Sequence, residues 1–306
     1  MERFVVAVDL GGTKIAAARV GAGGGLTQLL EVPTPPAGGK AVVASIAALI
    51  RQIGCEGACA VGVDVPGLAY ADGSVWAPNL AGWKRMPLGR MLAAEFKLPV
   101  LVESDRNACV VGEAWQGAAR GCLDVVFLAI GTGIGAGIIS GGHLIRGHGE
   151  LAGALGWMAV ETRYRAAYGA VGCLESHLAG PALAHAASRA RRRPTSMPEL
   201  VARARRGDAA ALRVIANAGH YLGLVLANLV STLNPEQIVL GGGVAAAGPM
   251  LIAPARKTMR EWAQPLAVKQ VRIVRSRLGT RAGLLGAAKM AFERAAVPAG
   301  AIAGTR

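Results

Sequence analysis

Two segments of the chain share one pattern: FVVAVDLGGTK (4–14) and VVFLAIGTGIG (125–135). Each is a run of strand-forming apolar residues that breaks at glycines and then resumes as IAAARV or AGIIS. A short Gly turn between two such runs returns the chain as an antiparallel hairpin. A third strand, EQIVLGGGV (236–244), also runs into glycines. Two strand–turn–strand openings, one in each half, hold the chain to an α/β protein built twice over, with a cleft between two lobes. The 306 residues and the 53% hydrophobic content allow two cores.

The remaining elements follow from periodicity. Val42–Ile53 repeats apolar residues at helical spacing, CAVGVDVPG (59–67) is a strand ending in Pro-Gly, and Pro33–Gly39 is a loop. Residues 70–90 read as irregular, because Pro78, Gly82 and Pro87 interrupt them. LPVLVESD (98–105) is a strand, followed by a helix over Asn107–Gln116 with Ser104 or Asp105 as its cap. A long helix over Ala209–Leu233 is capped by Asp208 and stopped by Asn234-Pro235. A short strand at 271–276 and an amphipathic helix over about Ala282–Ala295 close the chain.

Composition removes several classes. The apolar content excludes a disordered chain, and 43 glycines without a three-residue period exclude collagen. Aromatic content of 4% argues against a surface that stacks nucleic-acid bases. No secretory signal follows the start, and five cysteines (Cys55, Cys59, Cys109, Cys122, Cys173) read as reduced thiols, so the expected location is cytoplasmic. Val125–Gly142 lacks charge but holds six glycines, which suits a strand–turn–strand rather than a membrane helix. The net charge of +14 sits in residues 151–306, which carry 21 Lys/Arg against 7 Asp/Glu, whereas residues 1–150 carry 12 of each. Without interleaved aromatics, those Arg clusters read first as a solvated face and second as an anion-binding one.

The glycine loops carry the chemistry. In DLGGTK, Gly11 and Gly12 let the backbone aim N–H groups at an anion, while Thr13 adds a hydroxyl and Lys14 a charge. Asp9, at the strand end, suits Mg2+ held through water. Gly131, Thr132 and Gly133 form a second phosphate turn. The stretch also fits a loose dinucleotide fingerprint, with Glu150 as ribose contact, which makes an oxidoreductase a rival. That fingerprint needs a helix immediately afterwards, and the residues here read as a strand. Gly241, Gly242 and Gly243 let a flat group such as adenine lie on the backbone. Asp105, at a strand-to-helix junction, is the candidate base for phosphoryl transfer to an alcohol.

Taken in order, VDLGGTKIAAA, VDVPGL, APNLAGW, VESDRNACVVGE, AIGTGIGAGII, GCLES, NPEQIVLGGGV and AGLLGAAKMA closely resemble the ROK family of sugar kinases and repressors over nearly the whole chain. The resemblance implies an actin-like, duplicated ribonuclease-H-like fold, MgATP as donor and a sugar acceptor in an interdomain cleft. The expected domains are 1–118 plus the C-terminal helix at about 289–306, and 119–288. Asp105 matches the base, and Gly67, Asn79 and Glu175 match sugar-side positions. A homodimer is implied, with neither nucleic acid nor membrane as partner. The chain starts at the first phosphate strand, with no helix-turn-helix arm before it, which favours the kinase branch over the repressor branch.

The chain departs from the family pattern around the acceptor. Ser104-Asp105-Arg106 stands where Asn-Asp and a small residue are usual. Ala154 and Trp157 stand where the family places a sugar-contacting Glu and His. Its zinc knuckle is reduced to Ala166, Tyr168 and Cys173, so no zinc is expected. The lost polar contacts should change the preferred acceptor, toward an N-acyl sugar, a deoxy sugar or a cyclitol. Trp157 is expected to fill the space of the missing knuckle, with stacking on the acceptor as the alternative. A polyphosphate-dependent kinase and a catalytically weak sugar sensor remain as alternatives; a DNA-binding repressor is disfavoured.

Overall fold

The computed structural model describes residues 3–296, apart from the side chain of Arg191. The chain divides into two compact units, one of Met1–Gly121, Arg146–Leu151 and Thr280–Arg306, the other of Cys122–Ile145 and Ala152–Gly279.

The first unit opens with β1 (Phe4–Leu10) and β2 (Lys14–Gly21), an antiparallel hairpin in which Leu10 faces Ile15. Next come β3 (Leu26–Pro33), α1 (Gly39–Ile53), β4 (Val61–Val65), a small hairpin of β5 (Leu68–Ala69) and β6 (Val75–Trp76), α2 (Leu88–Phe96), β7 (Val100–Ser104) and α3 (Asp105–Gln116). The sheet order is β3-β2-β1-β4-β7. Strands β1, β4 and β7 are parallel, so their carboxyl ends lie along one sheet edge. Both faces of β1 and β4 are covered, which is why FVVAVDL and VGVDV read as continuous apolar runs. The core gathers Val6, Val8, Ile46, Ile50, Val63 and Trp83.

Several of these elements differ from the sequence expectation. Strand β3 is a bulged edge strand with mostly solvent-facing residues, so it lacks a clean alternation. The β5–β6 hairpin forms inside the stretch expected to be irregular, and α2 begins directly after Pro87. Ser104 precedes α3 without a side-chain cap; instead Asp105 accepts from the Arg106 amide at 2.7 Å.

The second unit repeats the plan with β8 (Val125–Ile130), β9 (Ile134–Ser140) and β10 (His143–Leu144). It continues through α4 (Tyr168–Val171), α5 (Glu175–Leu178), α6 (Gly180–Arg191), α7 (Met197–Arg205), α8 (Ala209–Leu233), β11 (Gln237–Gly241), α9 (Pro249–Trp262), α10 (Pro265–Gln270) and β12 (Arg272–Arg275). Its sheet order is β10-β9-β8-β11-β12, the same 3-2-1-4-5 order as in the first unit. This duplication is the ribonuclease-H-like arrangement of the actin-like ATPases. A strand follows the GTG turn, which removes the dinucleotide-binding reading.

Helix α8 is capped by the Asp208 carboxylate on the Ala211 amide at 2.9 Å and ends on Asn234 in the left-handed region. Among the described residues it alone is long and apolar enough to cross a bilayer. Its apolar face, including Leu222, Leu226 and Val230, forms the unit's own core.

The chain re-enters the first unit at Thr280 and forms α11 (Ala282–Ala296), packed on α3. The contribution starts at Thr280 rather than at about 289 because all of α11 sits on this unit; the expectation beyond 296 falls outside the described residues. A Cβ at Gly112 would run into the Ala282 carbonyl, and one at Gly286 into the Ala108 carbonyl. The small residues of AGLLGAAKMA therefore set how closely α11 approaches α3.

Candidate functional site

In the first unit the site is built on the carboxyl edge of the sheet, where ligands of open α/β sheets bind. Strand β1 delivers Asp9, and the turn of Gly11, Gly12 and Thr13 follows it. The Gly11 amide donates to the Lys14 carbonyl at 2.9 Å and closes the turn. Thr34, which the sequence reading passed over, holds the turn from outside. Its hydroxyl donates to the Gly11 carbonyl at 2.8 Å, and its amide to the Thr13 carbonyl at 3.0 Å. A Cβ on Gly12 would meet nothing within 4 Å, so the turn is open for a ligand. Lys14 pairs with Glu31 on β3 at 2.7 Å, so its charge is already partnered.

Beside Asp9, in register on β4, stands Asp64. It is 0% exposed, and neither carboxyl oxygen has a conventional donor. Burial, then the Asp9 charge, hold the Asp64 carboxyl well above the usual range. Burial also raises Asp9, while the neighbouring Asp64 carboxyl and the Lys14 charge oppose the rise. Of the pair, Asp64 is the member whose surroundings favour the protonated form more. The signal was present in the sequence, since VDL and VDV place an aspartate at the same point of two parallel strands.

Asp105 opens α3 at the end of β7. It keeps a solvent-facing side while protein crowds its carboxyl. Burial pushes that carboxyl up to about 6, against the pull of the Arg106 amide and guanidinium; the Asp9 charge adds to the rise. Behind it lies a polar brace. Glu103, buried on β7, accepts from Asn107 at 3.0 Å and from Arg146 at 2.8 Å. Arg106 donates to the Glu150 carbonyl at 2.7 Å, and Arg146 approaches Glu150 at 3.7 Å. Glu150 is thus a member of this brace, held in the left-handed region with φ 64.

Gly67 follows β4 with φ 108, and a Cβ there would strike the Trp76 carbonyl. Only glycine fits that bend. Asn79 is exposed in the turn before Leu80.

In the second unit β8 and β11 are parallel, so their glycine loops lie at one edge. The Gly131 amide donates to Gly133 at 3.0 Å, and the Gly180 amide, at the start of α6, donates to Gly131 at 2.8 Å. Thr132 lies exposed at the tip of that turn. Gly241 is packed against the Phe127 ring and Gly242 against the Ile130 carbonyl, whereas Gly243 borders open space. Glu175, on α5, accepts from the Ile134 amide at 2.7 Å, directly behind the Gly131–Gly133 turn. Burial raises its carboxyl, opposed by that bond.

The knuckle positions hold Ala166, Tyr168 and Cys173. Among the described residues no group of three or more His, Cys, Asp or Glu could hold a metal. Trp157 is 59% exposed, so it does not fill the core there, contrary to expectation. The buried positions are taken by Tyr168 and Cys173. At the carboxyl edge of the first sheet Asp9 lies just before the open Gly11–Thr13 turn, so it could supply one carboxylate to Mg2+, which uses one or two carboxylates plus phosphate oxygens.

Comparison with known proteins places the chain in a family. The ROK family profile matches residues 5–294. A glucokinase of Streptomyces coelicolor is 33% identical over 95% of this chain and 98% of its own length. A ROK hexokinase from Thermus thermophilus superposes with a TM-score of 0.83 at 36% identity, covering 95% of this chain and 98% of that one. A ROK family glucokinase from Streptomyces griseus, solved with glucose and AMPPNP, gives a TM-score of 0.80 at 31% identity, covering 95% and 99%.

Proposed function

Since the chain belongs to the ROK family, we propose that it is an ATP-dependent sugar kinase in which Asp105 is the catalytic base. The observation that carries this reading is the placement of Asp105 on the same sheet edge as the Asp9–Thr13 turn, with its carboxyl raised to about 6. A base with that affinity accepts a hydroxyl proton near neutral pH more readily than an ordinary aspartate.

In this reading Asp105 takes the proton of the acceptor hydroxyl as its oxygen attacks the γ-phosphate in line. The bond from the γ-phosphorus to the bridging oxygen breaks, and ADP leaves. Asp9, Thr13 and the amides of Gly11, Gly12, Gly131, Thr132 and Gly133 hold the phosphates of MgATP; the metal offsets their charge. The Glu31 carboxylate offsets the Lys14 charge, so Lys14 adds little to this field. Of the three glycines assigned to the adenine, Gly243 leaves room for it, while Gly241 and Gly242 are taken up by packing against Phe127 and Ile130. Gly67, Asn79 and Glu175 hold a hexose or hexose-like acceptor.

Ala154 and Trp157 leave that acceptor without the carboxylate and imidazole usual at the C1–C2 end, so its preference there differs from glucose. The exposed Trp157 face supports stacking on an apolar sugar face. A cytoplasmic homodimer independent of zinc, membranes and nucleic acid completes the reading; light scattering and metal analysis test those points. The direct test is turnover of Asp105→Asn. A loss of about 10²–10⁴-fold in kcat with MgATP binding kept supports the base assignment; a loss under tenfold refutes it.

A further inference from the structure

Helix α5 has only four residues, too few to hold a helical turn by itself. Yet it carries Glu175, whose carboxylate is set against the Ile134 amide. Something outside the helix must fix it. The described residues around it offer no metal group, but they do offer a closed hydrogen-bond cluster drawn from four segments.

Glu161 lies at the centre. Tyr168, at the start of α4, donates its hydroxyl to Glu161 Oε2 at 2.6 Å. Tyr221, on the core helix α8, donates to Glu161 Oε1 at 2.8 Å. His177, two residues after Glu175, places Nε2 at 2.8 Å from the Tyr168 hydroxyl oxygen. Because the Tyr168 proton is given to Glu161, that oxygen accepts, and His177 carries its proton on Nε2. The His177 ring also stacks on Tyr221, with centroids 4.1 Å apart and planes 18° apart. Arg165 adds an ion pair to Glu161 at 3.1 Å. Next to Glu175 on the same helix, the Ser176 hydroxyl donates to the Gly172 carbonyl at 2.7 Å. The two residues that follow Glu175 on its helix are thus both tethered by their side chains.

We propose that Glu161, Tyr168, His177 and Tyr221 form a metal-free clamp that positions Glu175 behind the Gly131–Gly133 turn, with Tyr168 as its pivotal positioning residue. The link to the acceptor rests on the assignment of Glu175 to the sugar. Tyr168 and His177 touch no reacting atom; they act by fixing where the Glu175 carboxylate stands. A displacement of about 1 Å at such a group weakens productive binding by an order of magnitude or more.

The test uses the full chain with Tyr168→Phe and Tyr221→Phe, each alone and combined with Glu175→Gln. Tyr168→Phe should raise the acceptor KM about tenfold while leaving the MgATP KM within about twofold. Added to Glu175→Gln it should change nothing further, because both act through one carboxylate. Amide exchange at Ile134 should quicken in Tyr168→Phe, and metal analysis of the purified protein should return no stoichiometric zinc. Unchanged acceptor KM and unchanged Ile134 protection in both folded Tyr variants would overturn the clamp, as would one zinc per chain. A wild-type protein that phosphorylates no sugar would instead defeat the kinase reading, and Ile134 exchange would still decide the clamp.

Discussion

The Asp64 carboxyl stands beside that of Asp9, in register across two parallel strands and shut away from solvent. Its folded pKa lies well above the ordinary 3.8, through burial first and the Asp9 charge second. A carboxyl raised in this way contributes its full stabilisation below the unfolded value and loses it as pH rises through the folded one. Asp64→Asn keeps the shape and removes the titration. It should raise Tm at pH 8 by about 2–4 °C and have a smaller effect at pH 5. Thermal unfolding at the two pH values checks this; a lower Tm at pH 8 would mean that the fold needs the carboxyl itself.

Asp105 sets the acid limb of the rate profile. With its carboxyl raised to about 6, kcat/KM should fall about tenfold per unit as pH drops below that value, because the base is then protonated. The profile of the free enzyme, measured between pH 4.5 and 8, reads this directly. A limb at the ordinary aspartate value would show that Asp105 is not the titrating base.

The brace behind Asp105 should matter for stability. The Glu103 side chain is 5% exposed while Arg146 is 41% exposed, so Arg146→Ala removes a half-exposed cation and leaves a buried carboxylate short of a partner. The expected loss is about 1–3 kcal/mol, below that of a fully buried pair because solvent screens one side. Urea unfolding measures it, and Glu103→Gln in the same background should recover part of the loss.

The glycines separate into two kinds. A Cβ on Gly12 meets nothing within 4 Å, whereas one on Gly286 runs into the Ala108 carbonyl. Gly12→Ala should fold with less than about 1 kcal/mol of change and raise the MgATP KM. Gly286→Ala should lose about 3 kcal/mol or more through overpacking of α11 on α3. Parallel unfolding and KM measurements test the contrast.

Local patterns made much of this legible. Buried parallel strands are continuous apolar runs, so β1, β4, β7, β8 and β11 stood out, and each glycine loop marked a strand end. Strand β3 was illegible because it is a solvent-facing, bulged edge whose residues do not alternate. Asp105 could be read from its junction, but its support from Glu103 and Arg146 joins residues 43 apart in sequence. The Glu161 clamp escaped for the same reason, since Glu161 and Tyr221 are 60 apart. Trp157 misled because a large aromatic is usually core, whereas Tyr168 and Cys173 had already taken the buried positions.

The central claim is phosphoryl transfer from MgATP to a sugar, and the most direct measurement is acceptor-dependent ADP release over hexoses, hexosamines, N-acyl sugars and cyclitols. Release on a restricted set of acceptors, with the phosphate recovered on the sugar and the rate lost in Asp105→Asn, is the predicted result. Measurable MgATP binding with no acceptor-dependent release across the panel, or release equal in Asp105→Asn, would contradict it.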